Sequence, residues 1–174
     1  MPILSPGVQA PDFELRGVVP GHAARGRGVP VRLSGLRGSP VVLVFYPFDF
    51  SPTCTDQLAV YNELLDVFGE YDARIVGISV DSVYCHAAFA RERRIEFTLL
   101  SDFEPKGAVA RQYGAYSERL GMCERALFVL DAGGVVRWSH LAPLGVNPGA
   151  DGILAALDAI APRPAAGGAP GRGR

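Results

Sequence analysis

Cysteine is scarce in this chain: three residues, at 54, 85 and 123, with no Cys-x-x-Cys pair among them. That excludes a disulfide-stapled scaffold, and in a reducing compartment such cysteines are reactive or buried rather than bridged. No apolar run approaches the roughly 20 residues of a membrane helix, so no membrane association is expected. The opening Met1-Pro2-Ile3-Leu4-Ser5-Pro6 has neither the basic start nor the apolar stretch of a secretory signal, and a cytoplasmic location is the expectation. Net charge is nearly absent as well. Seventeen basic residues against eighteen acidic ones give −1, which leaves no field to recruit nucleic acid or an acidic membrane. Gly-x-Gly-x-x-Gly does not follow any strand-like run, so nucleotide binding gains no support. His22, His86 and His140 are scattered and make no ligand spacing with the cysteines, which argues against zinc; no cofactor is expected. There is no internal repeat.

What is present is a globular balance, 48% hydrophobic and 20% charged over 174 residues, enough for one domain with a substantial core. The expected domain is 1–160. From 161 to 174 the composition collapses to Ala, Pro, Gly and Arg, including Arg163, Arg172 and Arg174, and this tail has no face to bury. Before it, Phe13-Glu14-Leu15 reads as one arm of a hairpin with Val29 to Leu33, joined by a Gly- and Arg-rich loop from Gly17 to Gly28. Val41 to Tyr46 and Arg74 to Val80 are apolar runs expected to be buried strands. Between them Leu58, Tyr61, Leu64, Leu65 and Phe68 fall at helical spacing. Strand, helix, strand argues for a parallel βαβ unit with a right-handed crossover. A second helix is expected from Ser82 to Arg93 with Asp81 as cap, then a short strand at Phe97 to Leu100 and a short helix at Gly107 to Tyr113. Ala126 to Leu130 and Val135 to His140 flank Asp131-Ala132-Gly133-Gly134, a hairpin turn. A last helix carries Ile153, Leu154, Leu157 and Ile160. The class is α/β: a central mixed β-sheet flanked by helices.

One thiol stands out. Pro47-Phe48-Asp49-Phe50-Ser51-Pro52-Thr53-Cys54 links the first buried strand to the first long helix. Ser51 can cap that helix, and Pro52 suits its first turn because the missing N–H costs nothing there. Cys54 then lies among unpaired backbone N–H groups at the positive end of the helix, where a thiolate, the reactive form, is favoured.

Pro47-x-x-x-Ser51-x-x-Cys54 resembles the active-site signature of the peroxiredoxins, the alkyl hydroperoxide reductase and thiol-specific antioxidant family. Gly121-Met122-Cys123-Glu124-Arg125, leading into Ala126 to Asp131, resembles that family's later arginine. The likeness runs from Ala10-Pro11-Asp12-Phe13 to about Ile160. Leu99-Leu100-Ser101-Asp102-Phe103, Gly107-Ala108-Val109-Ala110 and Tyr113-Gly114 draw it toward the one-cysteine alkyl hydroperoxide reductase E group, beside the bacterioferritin-comigratory group. The resemblance implies a thioredoxin-like fold, and the element order agrees. It implies a thiol-dependent peroxidase in which Cys54 attacks a hydroperoxide and becomes a sulfenic acid. Ser51 would hold the peroxide, Arg125 would stabilise shifting charge, and Pro47 would shape the loop and shield the sulfur. A thioredoxin-like protein or a low-molecular-weight thiol would be the reductant, and homodimers are implied.

Some positions depart from the pattern. Gln57 stands where several relatives carry an acid; its amide can still hydrogen-bond, but a charged link to an arginine is lost. Asp49 is expected to point outward, since a carboxylate near Cys54 would oppose the thiolate. Tyr46 is expected beside the loop, and Tyr61 and Trp138 in the core or an interface. Cys85 and Cys123, the latter expected near the site because it lies two residues before Arg125, are candidate resolving thiols. An external thiol is the alternative, and the sequence leaves this open. Two other readings compete: a redox sensor or holdase driven by Cys54 oxidation, and a disulfide reductase, which the absence of Cys-x-x-Cys disfavours.

Overall fold

The computed structural model describes residues 2–22 and 27–161. The middle of the expected Gly17–Gly28 loop, and all of the tail beyond Ala161, lie outside the described residues. The hairpin forms as expected: β1 (Glu14–Val18) pairs antiparallel with β2 (Val29–Arg32), Leu15 opposite Val31. Gly17 belongs to the strand rather than the loop. A Cβ there would collide with the Leu99 carbonyl, so the close approach of β1 to its other neighbour requires glycine.

β3 (Val41–Phe45) and β4 (Arg74–Ser79) run parallel with a helical crossover between them. The helical stretch is divided into α1 (Pro52–Glu63) and α2 (Leu65–Glu70) rather than continuous. At Leu64 the N–H bonds back only three residues, to the Tyr61 carbonyl at 3.2 Å, and this tight turn re-aims the chain so that Phe68 is buried. Next come α3 (Val83–Arg93), β5 (Thr98–Ser101) and α4 (Ala108–Gln112). A two-stranded ribbon of β6 (Tyr116–Ser117) and β7 (Met122–Cys123), not anticipated from the sequence, precedes the hairpin of β8 (Arg125–Leu130) and β9 (Val136–Ala142). Asp131 Oδ1 holds the hairpin turn through the N–H groups of Gly133 and Val135, both at 2.9 Å, and Gly134 takes φ +82°. The final helix is α5 (Asp151–Ile160).

The seven-stranded sheet has the order β2-β1-β5-β4-β3-β8-β9, parallel through β3, β4 and β5 and antiparallel outside them. β3 sits inside it and is buried throughout. Successive side chains point to opposite faces. Val42, Val44 and Tyr46 therefore meet Cys54, Leu58, Tyr61, Phe89 and Leu157 on one side, beneath α1, α3 and α5. Leu43 and Phe45 meet Val109, Tyr113 and Phe128 on the other, beneath α4. Each such burial contributes about 1.5–3 kcal/mol, which fixes the strand whose end launches the Cys54 segment. This is a mixed sheet flanked by helices, the thioredoxin-like arrangement. Among the described residues no helix is long and apolar enough to cross a membrane.

Candidate active site

β3 continues one residue beyond its last sheet pair, Tyr46 N–H donating to the Ile78 carbonyl at 3.1 Å, and then turns at the buried Pro47. The polarity of the loop that follows is inverted: Phe48 and Phe50 are exposed, and Asp49 is buried. The expectation that Asp49 points outward is therefore wrong. Its carboxylate accepts from Tyr46 Oη at 2.7 Å and faces His86 Nδ1 at 2.8 Å, partners whose combined hydrogen bonds repay the burial. Ser51 stands at the N-cap position of α1, but its hydroxyl donates to the Phe48 carbonyl at 3.1 Å instead of accepting from the helix. It is the Ser51 carbonyl that receives the first helical bond, from Thr55 N–H at 2.9 Å. Pro52 opens the helix, and Cys54 lies in its first turn, fully buried.

Arg125 reaches the same place from the opposite side of β3. β8 pairs with β3 through Ala126 and Phe45, so Arg125 lies level with Tyr46, where the loop begins. The two-residue period then turns it, like Leu127 and Val129, toward the Cys54 face. Its Nη2 is 3.6 Å from Cys54 Sγ and 2.6 Å from the Leu144 carbonyl, which Nε also contacts at 3.1 Å. Its Nη1 donates to Gln57 Oε1, and the Gln57 amide passes the chain on to Tyr61 Oη at 3.1 Å, which donates to the Gly149 carbonyl at 3.0 Å. Burial pushes the Tyr61 hydroxyl up to about 12, against the lowering influence of Gln57 and Arg125, so it stays a donor. Arg125 is 1% exposed, and among the described residues it makes no ion pair, neither with Glu124 nor with any other carboxylate. A buried guanidinium answered, among the described residues, by one backbone carbonyl, an amide and a sulfur is an incomplete charge pair.

The three thiols are free and differ sharply in setting. Cys123 is not near the site. Glu124 interrupts the strand, its carbonyl bonded by Ala126 N–H and its own N–H by Ala115, so the alternation of β8 does not carry back to β7. Cys123 consequently packs in the α4-side core, across the sheet from Cys54, where burial and then Asp102, Asp81 and Glu124 push its thiol up. Cys85, half-buried in the first turn of α3, lies with the Asp49 and Asp81 carboxylates, the three ligand atoms within 4.8 Å of one another. These could in principle ligate a cation. However, Asp49 is committed to Tyr46 and His86, and one Asp81 oxygen accepts from Ser79 Oγ at 2.6 Å and from Asp49 N–H at 2.9 Å. Ser82, not Asp81, caps α3, accepting from Cys85 N–H at 3.3 Å. Burial, then the two carboxylates, push the Cys85 thiol up to about 12. Iodoacetamide at pH 8 should accordingly label Cys85 on the order of a hundredfold more slowly than an unperturbed cysteine, because only the thiolate reacts. A rate matching that of free glutathione would contradict this.

Fold and site together put the chain among the thiol-dependent peroxidases. It belongs to the AhpC/TSA family, the peroxiredoxins: the family model matches residues 6–139. Alkyl hydroperoxide reductase E of Mycobacterium tuberculosis is 35% identical over 144 residues, 82% of this chain and 89% of that protein. The crystal structure of the peroxidoxin BcpB from the same organism superposes with a TM-score of 0.75 at 37% identity, covering 89% of this chain and 97% of that one. Mycobacterium tuberculosis AhpC gives a TM-score of 0.80 at 25% identity, with 91% and 93% covered. A peroxidase of this family takes peroxides and thiol reductants.

Proposed function

We propose that Cys54 is the peroxide-attacking nucleophile, with Arg125, Ser51 and Pro47 completing the site. The observation that carries this reading is the 3.6 Å approach of Arg125 Nη2 to Cys54 Sγ in a site where no carboxylate neutralises the guanidinium. An anionic sulfur completes that charge. Cys54 Sγ attacks the terminal oxygen of ROOH, the S–O bond forms as the O–O bond breaks, and the leaving RO⁻ takes up a proton to depart as ROH. Sulfur gives up two electrons and becomes a sulfenic acid. Arg125 follows the negative charge from sulfur to the leaving oxygen. Ser51, whose hydroxyl donates to the Phe48 carbonyl, turns to hold the peroxide, and Pro47 keeps water from the sulfur.

An external thiol then attacks the sulfenic sulfur with loss of water, and a second thiol releases the mixed disulfide. Two features favour this route over an internal one. Cys123 is on the far side of the sheet, and the raised Cys85 thiol supplies little thiolate for attack. Cys85 is the second reading, because Asp49 ties its surroundings to the Cys54 loop. The reductant is a thioredoxin-like protein or a low-molecular-weight thiol, and the three unbridged cysteines suit the reducing cytoplasm. The domain over 1–160 acts as one unit, supported by the seven-stranded sheet, and membership of the family supports a homodimer.

The test is intact mass and peptide mapping after one equivalent of hydrogen peroxide, with and without a sulfenic-acid trap. A trapped adduct on Cys54 without an internal bridge is expected. A Cys54–Cys85 disulfide would move the assignment to the second reading, and an unmodified Cys54 would overturn it.

A further inference from the structure

Tyr46, Asp49 and His86 form a buried ionisable cluster that the peroxide chemistry does not use. All three side chains are shut away from solvent. His86 Nε2 faces the Leu100 carbonyl at 3.1 Å; a carbonyl only accepts, so that nitrogen carries a proton. Nδ1 faces Asp49 Oδ2, and Tyr46 Oη donates to Oδ1. The Asp49 N–H is held in turn by Asp81, itself braced by Ser79. A single loop residue is thus tied to the end of β3, to α3, to β5 and to the segment after β4.

The next residue is tied as well. Phe50 has φ +61°, a left-handed conformation that a phenylalanine holds only when its surroundings impose it. Its ring meets Phe89 edge-on, with centroids 5.1 Å apart. His86 and Phe89 are three residues apart and share one face of α3. That face therefore grips two consecutive residues of the loop leading to Cys54, one by hydrogen bonds and one by ring packing. A buried acid–imidazole pair gains little stability over an apolar pair of the same volume, but it fixes one geometry. Meanwhile Cys54 is fully buried in the first turn of α1, so a thiol reductant, bulkier than a peroxide, needs that cover to open further.

Resting on the reading of Cys54 as nucleophile, we infer that Asp49 and His86 are positioning residues that clasp the 47–51 loop to α3. The clasp aligns Cys54 with Ser51 and Arg125 for peroxide, and it sets how often the first turn of α1 opens to a reductant.

The experiment pairs two measurements on the reduced full chain: the second-order rate of Cys54 oxidation by hydrogen peroxide, and hydrogen exchange of the peptide covering 52–58. The 126–130 peptide of β8 serves as the control for global loosening. In Asp49→Ala the peroxide rate should fall about 100-fold, the usual cost of a misplaced reacting group. Exchange at 52–58 should speed up roughly tenfold while β8 stays protected, the signature of local opening. Asp49→Asn keeps an acceptor for Tyr46 and offers an N–H to His86 Nδ1, so it should restore both readouts to within about threefold of the unaltered protein. If β8 exchanges quickly too, Asp49→Ala has unfolded, and His86→Gln, a smaller cut in the same clasp, decides by the same two readouts. Unchanged exchange at 52–58 in a folded clasp variant, or a loss in Asp49→Asn as deep as in Asp49→Ala, overturns the inference. Failure of the nucleophile assignment would show earlier and separately, as an unoxidised Cys54 in the unaltered protein.

Discussion

Cys54→Ser is expected to abolish peroxide turnover while leaving the fold in place. The reasoning joins the chemistry to the position. A hydroxyl has the shape of the thiol but is almost never ionised near neutral pH, and its oxygen cannot accept a peroxide oxygen to give a stable intermediate. Neither remaining cysteine can substitute, since Cys123 is sealed in the opposite core and Cys85 holds its proton. Turnover with dithiothreitol should therefore drop to the background of the buffer. Folding is a different matter. The Ser51 carbonyl and Pro52 start α1 whatever occupies position 54, and Arg125 Nη2 can donate to a serine oxygen as it does to sulfur. Replacing a buried sulfur by a buried hydroxyl costs about 1–3 kcal/mol at most when a donor is at hand, and Tm should fall by roughly 2–12 °C. Circular dichroism and a thermal melt check the fold; retained peroxide consumption in the folded variant would remove Cys54 from the chemistry.

The parts of this molecule that its sequence made legible are those written in local pattern. Val41 to Tyr46 and Arg74 to Val80 read as buried strands because both of their faces are apolar. The hairpin was legible in the turn residues Asp131-Ala132-Gly133-Gly134 between two strand-like runs, and the structure adds that the Asp131 carboxylate organises the turn. Cys54 and Arg125 could be singled out because each lies in a short motif at the end of a strand. What escaped depends on partners distant in sequence. Asp49 looked like a solvated loop acid, and the side chain that buries it, His86, is 37 residues away on another element. The available hint was the company it keeps: an acid between two phenylalanines, three residues after a tyrosine, where one pair or the other had to be turned inward. Cys123 was misplaced for a subtler reason. Counting by twos back from Arg125 assumes an unbroken strand, and the break at Glu124 has no side-chain signature; it follows from the Ala115 carbonyl having claimed the Glu124 N–H. The division of the first helix at Leu64 is likewise a matter of one carbonyl reached three residues back instead of four.

Arg125→Ala should slow Cys54 oxidation by hydrogen peroxide by about 10²–10³, the loss typical of removing one preorganised donor from developing charge. The guanidinium is held before the substrate arrives: the Leu144 carbonyl takes two of its N–H groups and Gln57 a third, leaving Nη2 directed at the sulfur. No reorganisation is needed as charge moves from sulfur to the leaving oxygen, and burial keeps water from screening it. Alanine also strands the Leu144 and Gln57 oxygens, each a buried acceptor costing about 1–3 kcal/mol if left unpaired, so part of any effect could come from a loosened segment between β9 and α5. Arg125→Lys separates the two contributions. Lysine keeps the charge, but its single ammonium cannot serve Leu144, Gln57 and Cys54 from a planar fork. If charge alone matters, Lys should recover nearly all the rate that Ala loses; if the fork matters, as the geometry implies, Lys should remain at least about tenfold slow while recovering only part of the thermal stability. Stopped-flow measurement of the second-order rate constant, with a melt on each variant, reads both. A rate for Arg125→Ala within threefold of the unaltered protein would leave the guanidinium a structural cation and return the activation of Cys54 to the helix N-terminus alone.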